Sequence, residues 1–216
     1  MTKDMTIADW VGSRRPHMQP CQEAMTWSGV AGLTTMSGAW DRLCYDLDSP
    51  CDYGKWLGWL VQATLTPRRR RQMLRDIAAA ITCADGSPVL NCLVDRTPWI
   101  LREFDKICDN DTCFDGVEPL WEIDSAAFFV GPHPQLQYAC LVFIRRSVDY
   151  NMSEGWLSSR IINLIAAVHA ASMTSEQPWW RTIAICFGVD DADKLARCNH
   201  AAAVAVIKSY NPFRED

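Results

Sequence analysis

Residues 53–82 read YGKWLGWLVQATLTPRRRRQMLRDIAAAIT, two apolar stripes of helical period separated by a short break. In the first, Tyr53, Trp56, Leu57, Leu60 and Val61 keep the three-and-four spacing that lines one face of an α-helix. Thr66-Pro67 then supplies an N-cap followed by proline at the first helical position, where its missing N–H would have had no partner. The second helix is expected to run to about Thr82. Leu74, Ile77, Ala78 and Ile81 face inward, and Arg68, Arg71 and Arg75 are read onto a different face.

On the N-terminal side the same period continues. Cys21, Met25 and Trp27 precede Gly29 and Gly32, which end or bend that element. Trp40, Leu43 and Cys44 share a helical face between about Ser37 and Leu47, and Asp48-Ser49-Pro50 is a stop or a new cap. Residues 1–20 hold Arg14-Arg15-Pro16 and Pro20 with little periodicity, and read as an irregular lead-in.

On the C-terminal side, Ser153 is read as the cap of a long helix with the stripe Leu157, Ile161, Leu164, Ile165 and Val168. Glu176-Gln177-Pro178 breaks it. A final helix runs from Asp190-Asp191 to about Tyr210, and Pro212 closes it. The middle is less regular. Asp85-Gly86-Ser87-Pro88 is a turn, Trp99 to Ile107 fits a short helix, and Asp109 to Gly116 is an acidic loop. Ala126 to Val130 and Tyr138 to Ile144 fit a small β-hairpin around Gly131-Pro132-His133-Pro134, although the second run also fits a buried helix. Thr182 to Val189 fits either a strand or a helical piece. The expected fold is mainly α, with α+β as the alternative, in one compact unit spanning residues 1–216.

Composition narrows the function classes. Apolar residues make up 49% of the chain and charged residues 22%, which is a globular composition rather than a disordered one. Ten tryptophans offer stiff anchors for a core or a partner. The opening residues carry no continuous apolar run, and the most apolar stretch, Ile161 to Ala171, is broken by Asn163 and His169. Neither a secretory signal nor a membrane span is expected, and a cytoplasmic location follows. In that setting the ten cysteines are expected to be mostly reduced, packing as small apolar groups.

The net charge of −5 argues against bulk nucleic-acid binding. Against that background Arg68-Arg69-Arg70-Arg71, with Arg75 one turn on, forms a local cationic cluster. It sits in the first turn of a helix, where the dipole already disfavours positive charge by a few tenths of a kcal/mol per residue, roughly. A solvated helix face is the plain account of that cluster. The functional account is recognition of an acidic protein surface or of nucleic-acid phosphates.

Other candidate sites are incomplete. Asp111 to Glu122 places acidic residues at positions 1, 5 and 12 of a calcium loop and Gly116 at position 6, but Cys113 and Glu118 depart from the pattern. Cys83, Cys92, Cys108 and Cys113 lack the Cys-x-x-Cys spacing of a zinc knuckle. His17, His133, His169 and His200 belong to no hydrolase or metalloprotease motif, and Cys198 and His200 diverge on a helix. No catalytic residue, metal or cofactor is assigned. Trp179-Trp180 fits either a packed loop or a partner anchor.

Cys21-x-x-x-Met25-x-Trp27, Trp40-x-x-Leu43-Cys44 and Lys55-Trp-Leu-Gly-Trp-Leu60, with the arginine-rich helix that follows, resemble the opening of a group of small helical proteins. These occur in phages, prophages and polymorphic-toxin loci, and some are immunity-protein-like. Cys198-x-x-Ala201 and Ile207-Lys-Ser-Tyr-Asn-Pro212 resemble their C-terminal end. The likeness covers roughly residues 20–82 and 193–212; Met25 stands where the group has glycine, and residues 83–150 depart from its alanine-rich helices. It implies a mainly helical fold and a binding or inhibitory role.

The first expectation is therefore a non-enzymatic interaction or inhibitor protein of immunity or anti-defence type. Its partner would be another protein, met through Arg68, Arg69, Arg71, Arg75, Trp179 and Trp180. The alternatives are a small Cys/His enzyme or zinc module, and a nucleic-acid-binding module built on the Arg68–Arg75 helix.

Overall fold

In the computed structural model the described residues are 5–15, 19–45, 53–94, 136–140, 143, 156–173 and 191–214. Of these, 73% are helical and no sheet is present, so the fold is mainly α. The helices are α1 (Ile7–Gly12), α2 (Gln22–Val30), α3 (Met36–Tyr45), α4 (Tyr53–Thr64), α5 (Pro67–Ala80), α6 (Asn91–Val94), α7 (Trp156–Met173) and α8 (Asp191–Ser209). Residues 136–140 are also helical.

Two helices organise the packing. α4 and α8 each pack against α3, α5 and α7. The stripes named above supply the contacts: Leu57, Leu60 and Val61 from α4, Leu74, Ile77 and Ala78 from α5, and Leu157, Ile161, Leu164, Ile165 and Val168 from α7 are all buried. They join Trp40, Leu43 and Cys44 of α3 in one contiguous core. Trp56, expected in that core, is only partly buried; it packs against Trp27 with ring centroids 5.5 Å apart.

Local chemistry sets the helix ends. Thr66 Oγ1 accepts the Arg69 N–H at 3.3 Å, with Pro67 opening α5 as expected. Gly32, with φ of 65°, lies just past α2 in the left-handed region that favours glycine. Past α5 the chain reverses tightly. Cys83 N–H donates to Ser87 O at 2.8 Å, Val89 N–H to Ile81 O at 2.8 Å, and Gly86 adopts a φ of 82°.

Two expectations change, and one open alternative is decided. Residues 1–20 are not wholly irregular, because α1 forms there with Ile7 and Trp10 buried. It is a short helix fixed by tertiary contacts that no local period announces. Thr6 caps it by accepting the Asp9 N–H at 3.0 Å, and Ile7 N–H donates to Thr34 O at 3.1 Å. Of the two readings given for Tyr138 to Ile144, the described residues take the buried helix and not the hairpin strand: 136–140 are helical, with Leu136, Cys140 and Phe143 buried. Arg71 is not on the solvated face: it precedes Leu74 by three residues and Ala78 by seven, within their stripe, and is 3% exposed.

The expected helix at 99–107, the acidic loop at 109–116, the strand at 126–130, the cap at Ser153 and the segment 182–189 lie outside the described residues.

The C-terminal residues close the fold. Trp40 Nε1–H donates to Ile207 O at 3.1 Å. Beyond α8, Asn211 Nδ2 donates to Ser37 Oγ at 3.2 Å, and Asn211 Oδ1 accepts the Phe213 N–H at 3.0 Å. Phe213, fully buried, then sits among Trp10 and Trp40, at centroid distances of 6.4 and 6.5 Å.

Candidate functional site: an arginine-lined cleft

The N-terminal half of α5 lies against the C-terminal end of α8, and a shallow open cleft of about 500 Å³ runs between them. Arg68, Arg69, Gln72 and Asp76 line one wall, and Ser209 and Tyr210 line the other. The α5 residues share this wall because their spacings of three, four and eight keep them near one face of a helix.

Hydrogen bonds to Asp76 join the two walls at the cleft floor. The Tyr210 hydroxyl donates to Asp76 Oδ2 at 2.5 Å, and Gln72 Nε2 donates to Asp76 Oδ1 at 2.9 Å. Both carboxylate oxygens are thus engaged by neutral donors. Above the floor the Arg69 guanidinium lies 5.9 Å from the Tyr210 ring centroid, within cation–π range. Arg68 and Arg69 are both exposed, and among the described residues neither forms an ion pair.

This arrangement can bind, but it contains no poised nucleophile. The Ser209 hydroxyl donates to Val206 O at 2.7 Å, inside its own helix. What faces solvent is a pair of planar guanidinium forks at a helix N-terminus. Such forks match carboxylates and phosphates in bidentate geometry, and the helix dipole adds to the positive potential.

The expected site residues divide accordingly. Arg68 and Arg69 come together on the cleft. Arg71 is buried and unavailable to a partner, and Arg75 is half-buried outside the cleft lining. Trp179 and Trp180 lie outside the described residues, as do Cys108, Cys113 and the acidic loop from Asp111 to Glu122. Among the described residues no group of three His, Cys, Asp or Glu is arranged to hold a metal. On α8, Cys198 is exposed, and His200 is half-buried with its Nε2 buried and lacking a hydrogen-bond partner among the described residues.

Gln72, Asp76, Ser209 and Tyr210 were not expected in the site. The Gln72–Asp76 pair has a local signal, since their spacing of four puts them in contact on a helix. Tyr210 has none, because it meets Asp76 from 134 residues away.

No known protein family, no curated protein and no solved structure matches the chain. No helix among the described residues is long and apolar enough to cross a membrane.

Proposed function

We propose that this chain is a non-enzymatic protein–protein interaction factor that binds an acidic partner surface through the cleft between α5 and α8. The carrying observation is the exposed Arg68–Arg69 pair, free of ion pairs among the described residues and set beside an Asp76 whose two carboxylate oxygens are already held by Tyr210 and Gln72. On a chain of net charge −5, such a patch gives a direction to association instead of a general attraction to polyanions. The resemblance of its helical motifs to proteins of phages and toxin loci supports an inhibitory role of immunity or anti-defence type. In that role the protein acts in the cytoplasm by covering a partner's working surface.

The test is a paired capture from the native host, with tagged wild-type protein and an Arg68→Glu/Arg69→Glu variant side by side. The proposal expects a protein enriched by the wild type and lost with the variant, while duplex DNA in excess does not displace it. Displacement by duplex DNA would favour the nucleic-acid alternative.

A further inference from the structure

The cleft wall that α5 supplies changes sign along its length. Arg68 and Arg69 stand in the first turn of the helix, Gln72 follows, and Asp76 closes the series, all four lining the cleft. Asp76 comes eight residues after Arg68 and seven after Arg69. At a rise of ~1.5 Å per residue their backbones lie about 10–12 Å apart along the helix axis. The facing wall, Ser209 and Tyr210, carries no charged side chain. The cleft is therefore bipolar, cationic at the start of α5 and anionic two turns on.

One residue positions both poles. The Tyr210 ring lies under the Arg69 guanidinium, 5.9 Å from it, and the Tyr210 hydroxyl reaches Asp76 Oδ2. Tyr210 is itself anchored. Its N–H donates to Ile207 O at 3.1 Å, and the next residue, Asn211, is buried and bonded to Ser37. Asp76 is held by Tyr210 and Gln72, yet not used up. Both donors are neutral, so they fix the direction of the carboxylate and leave its charge in place. A carboxylate offers roughly four acceptor sites, so others are left for a visitor. Asp76 is also half-buried, and there water and salt screen a charge pair less than on an open surface.

We propose, resting on the reading of the cleft as the partner-binding site, that its occupant is a protein segment of matching polarity. Acidic side chains of that segment meet Arg68 and Arg69, and one lysine or arginine, about 10–12 Å away, meets Asp76. Charge complementarity selects this occupant over two others. A nucleic-acid strand offers phosphates only, so one of its anions would face Asp76. A uniformly acidic protein surface meets the same repulsion, and like charges set against each other work against a complex. The bipolar segment finds an opposite charge at both poles, and turning it end for end puts like charges together at both. Asp76 is thereby a specificity-determining residue that sets the direction in which the partner lies across the cleft.

The test titrates the full chain with three capped, helical alanine–glutamine peptides at low salt, followed by calorimetry. Each peptide carries an adjacent pair of glutamates. Two turns beyond the pair, on the same face, the first carries lysine and the second glutamate; the third has the composition of the first, with its lysine moved to the opposite face. The first should bind tightest, at least roughly threefold better than the third, and the second should bind weakest. In Asp76→Asn the first and third should bind alike, and in Asp76→Lys the second should become the tightest. Arg68→Glu/Arg69→Glu should weaken all three. If the variants of Asp76 do not fold, the wild-type ranking decides alone. Equal binding of the two lysine peptides to wild type, with the arginine reversal still weakening both, would overturn the polarity and leave the acidic-partner reading standing. No binding of any peptide, or binding that the arginine reversal leaves unchanged, would overturn both.

Discussion

Asn199 of α8 and Thr82, at the end of α5, exchange two hydrogen bonds of 2.9 Å: Thr82 N–H donates to Asn199 Oδ1, and Asn199 Nδ2 donates to Thr82 O. The side-chain amide imitates a strand partner for a backbone unit that has just left the helix. Asn199 is 1% exposed. Six residues back along α5, Asp76 is bonded to Tyr210, beyond the end of α8. The two ties run α5 antiparallel to α8 and fix both ends of the contact that shapes the cleft.

Asn199→Ala should therefore destabilise the protein by about 2 kcal/mol, since two part-buried backbone groups lose their partners. Asn199→Asp should cost at least as much at neutral pH, because it keeps the acceptor and replaces the donor with a second oxygen facing Thr82 O. Denaturant melts of both variants check this. A wild-type midpoint for Asn199→Ala would mean that water replaces the amide without loss.

The C-terminal residues should separate an apolar contribution from an ionic one. Phe213→Ala empties a fully buried site between Trp10 and Trp40 and should cost about 3–5 kcal/mol. Arg214 pairs with Asp41 from a position 49% exposed, and Arg214→Ala should cost less than about 1 kcal/mol. Thermal melts of the two variants, measured together, give the ratio directly.

Cys44 supplies a pH dependence. Burial, with the Asp41 charge adding to it, pushes its thiol up to about 12 from a model-compound value of 9.0. A raised folded-state pKa means that the native state keeps a proton the unfolded chain gives up. The contribution is complete below pH 9 and is lost as pH rises toward 12. In that window stability should fall by up to about 1.4 kcal/mol per pH unit from this group. Cys44→Ala should remove that part of the slope while leaving the curve below it parallel, as melts from pH 7 upward would show.

The fold was largely legible because its helices are long enough to repeat. The stripes of α4, α5 and α7 cross the core with three or more turns each, so their inward residues follow from spacing alone. The misses have physical causes. α1 is too short for a period and exists through Trp10 and the Thr34 carbonyl. Phe213 lies past the last helix, where no pattern marks burial. Arg71 was read by charge, yet its place in the Leu74–Ala78 stripe puts its stem in the core. The cleft was half legible: Arg68 and Arg69 announced it as a charge run, whereas its opposite wall, Ser209 and Tyr210, is joined to it only by tertiary packing.

The account's central claim is that Arg68 and Arg69 guide an acidic protein partner to the cleft. The most direct measurement is the association rate of the captured partner with wild type and with Arg68→Glu/Arg69→Glu across ionic strength. The variant leaves Arg71 unchanged, because reversing a buried arginine would test folding instead of binding. The wild-type rate should fall steeply as the screening length drops from about 10 Å at 0.1 M salt to about 3 Å at 1 M. The variant should associate at least roughly tenfold more slowly at low salt, converge on the wild type at high salt, and melt at the wild-type temperature. Equal association rates for the two proteins at low salt would contradict the account and leave the arginines as a solvated helix face.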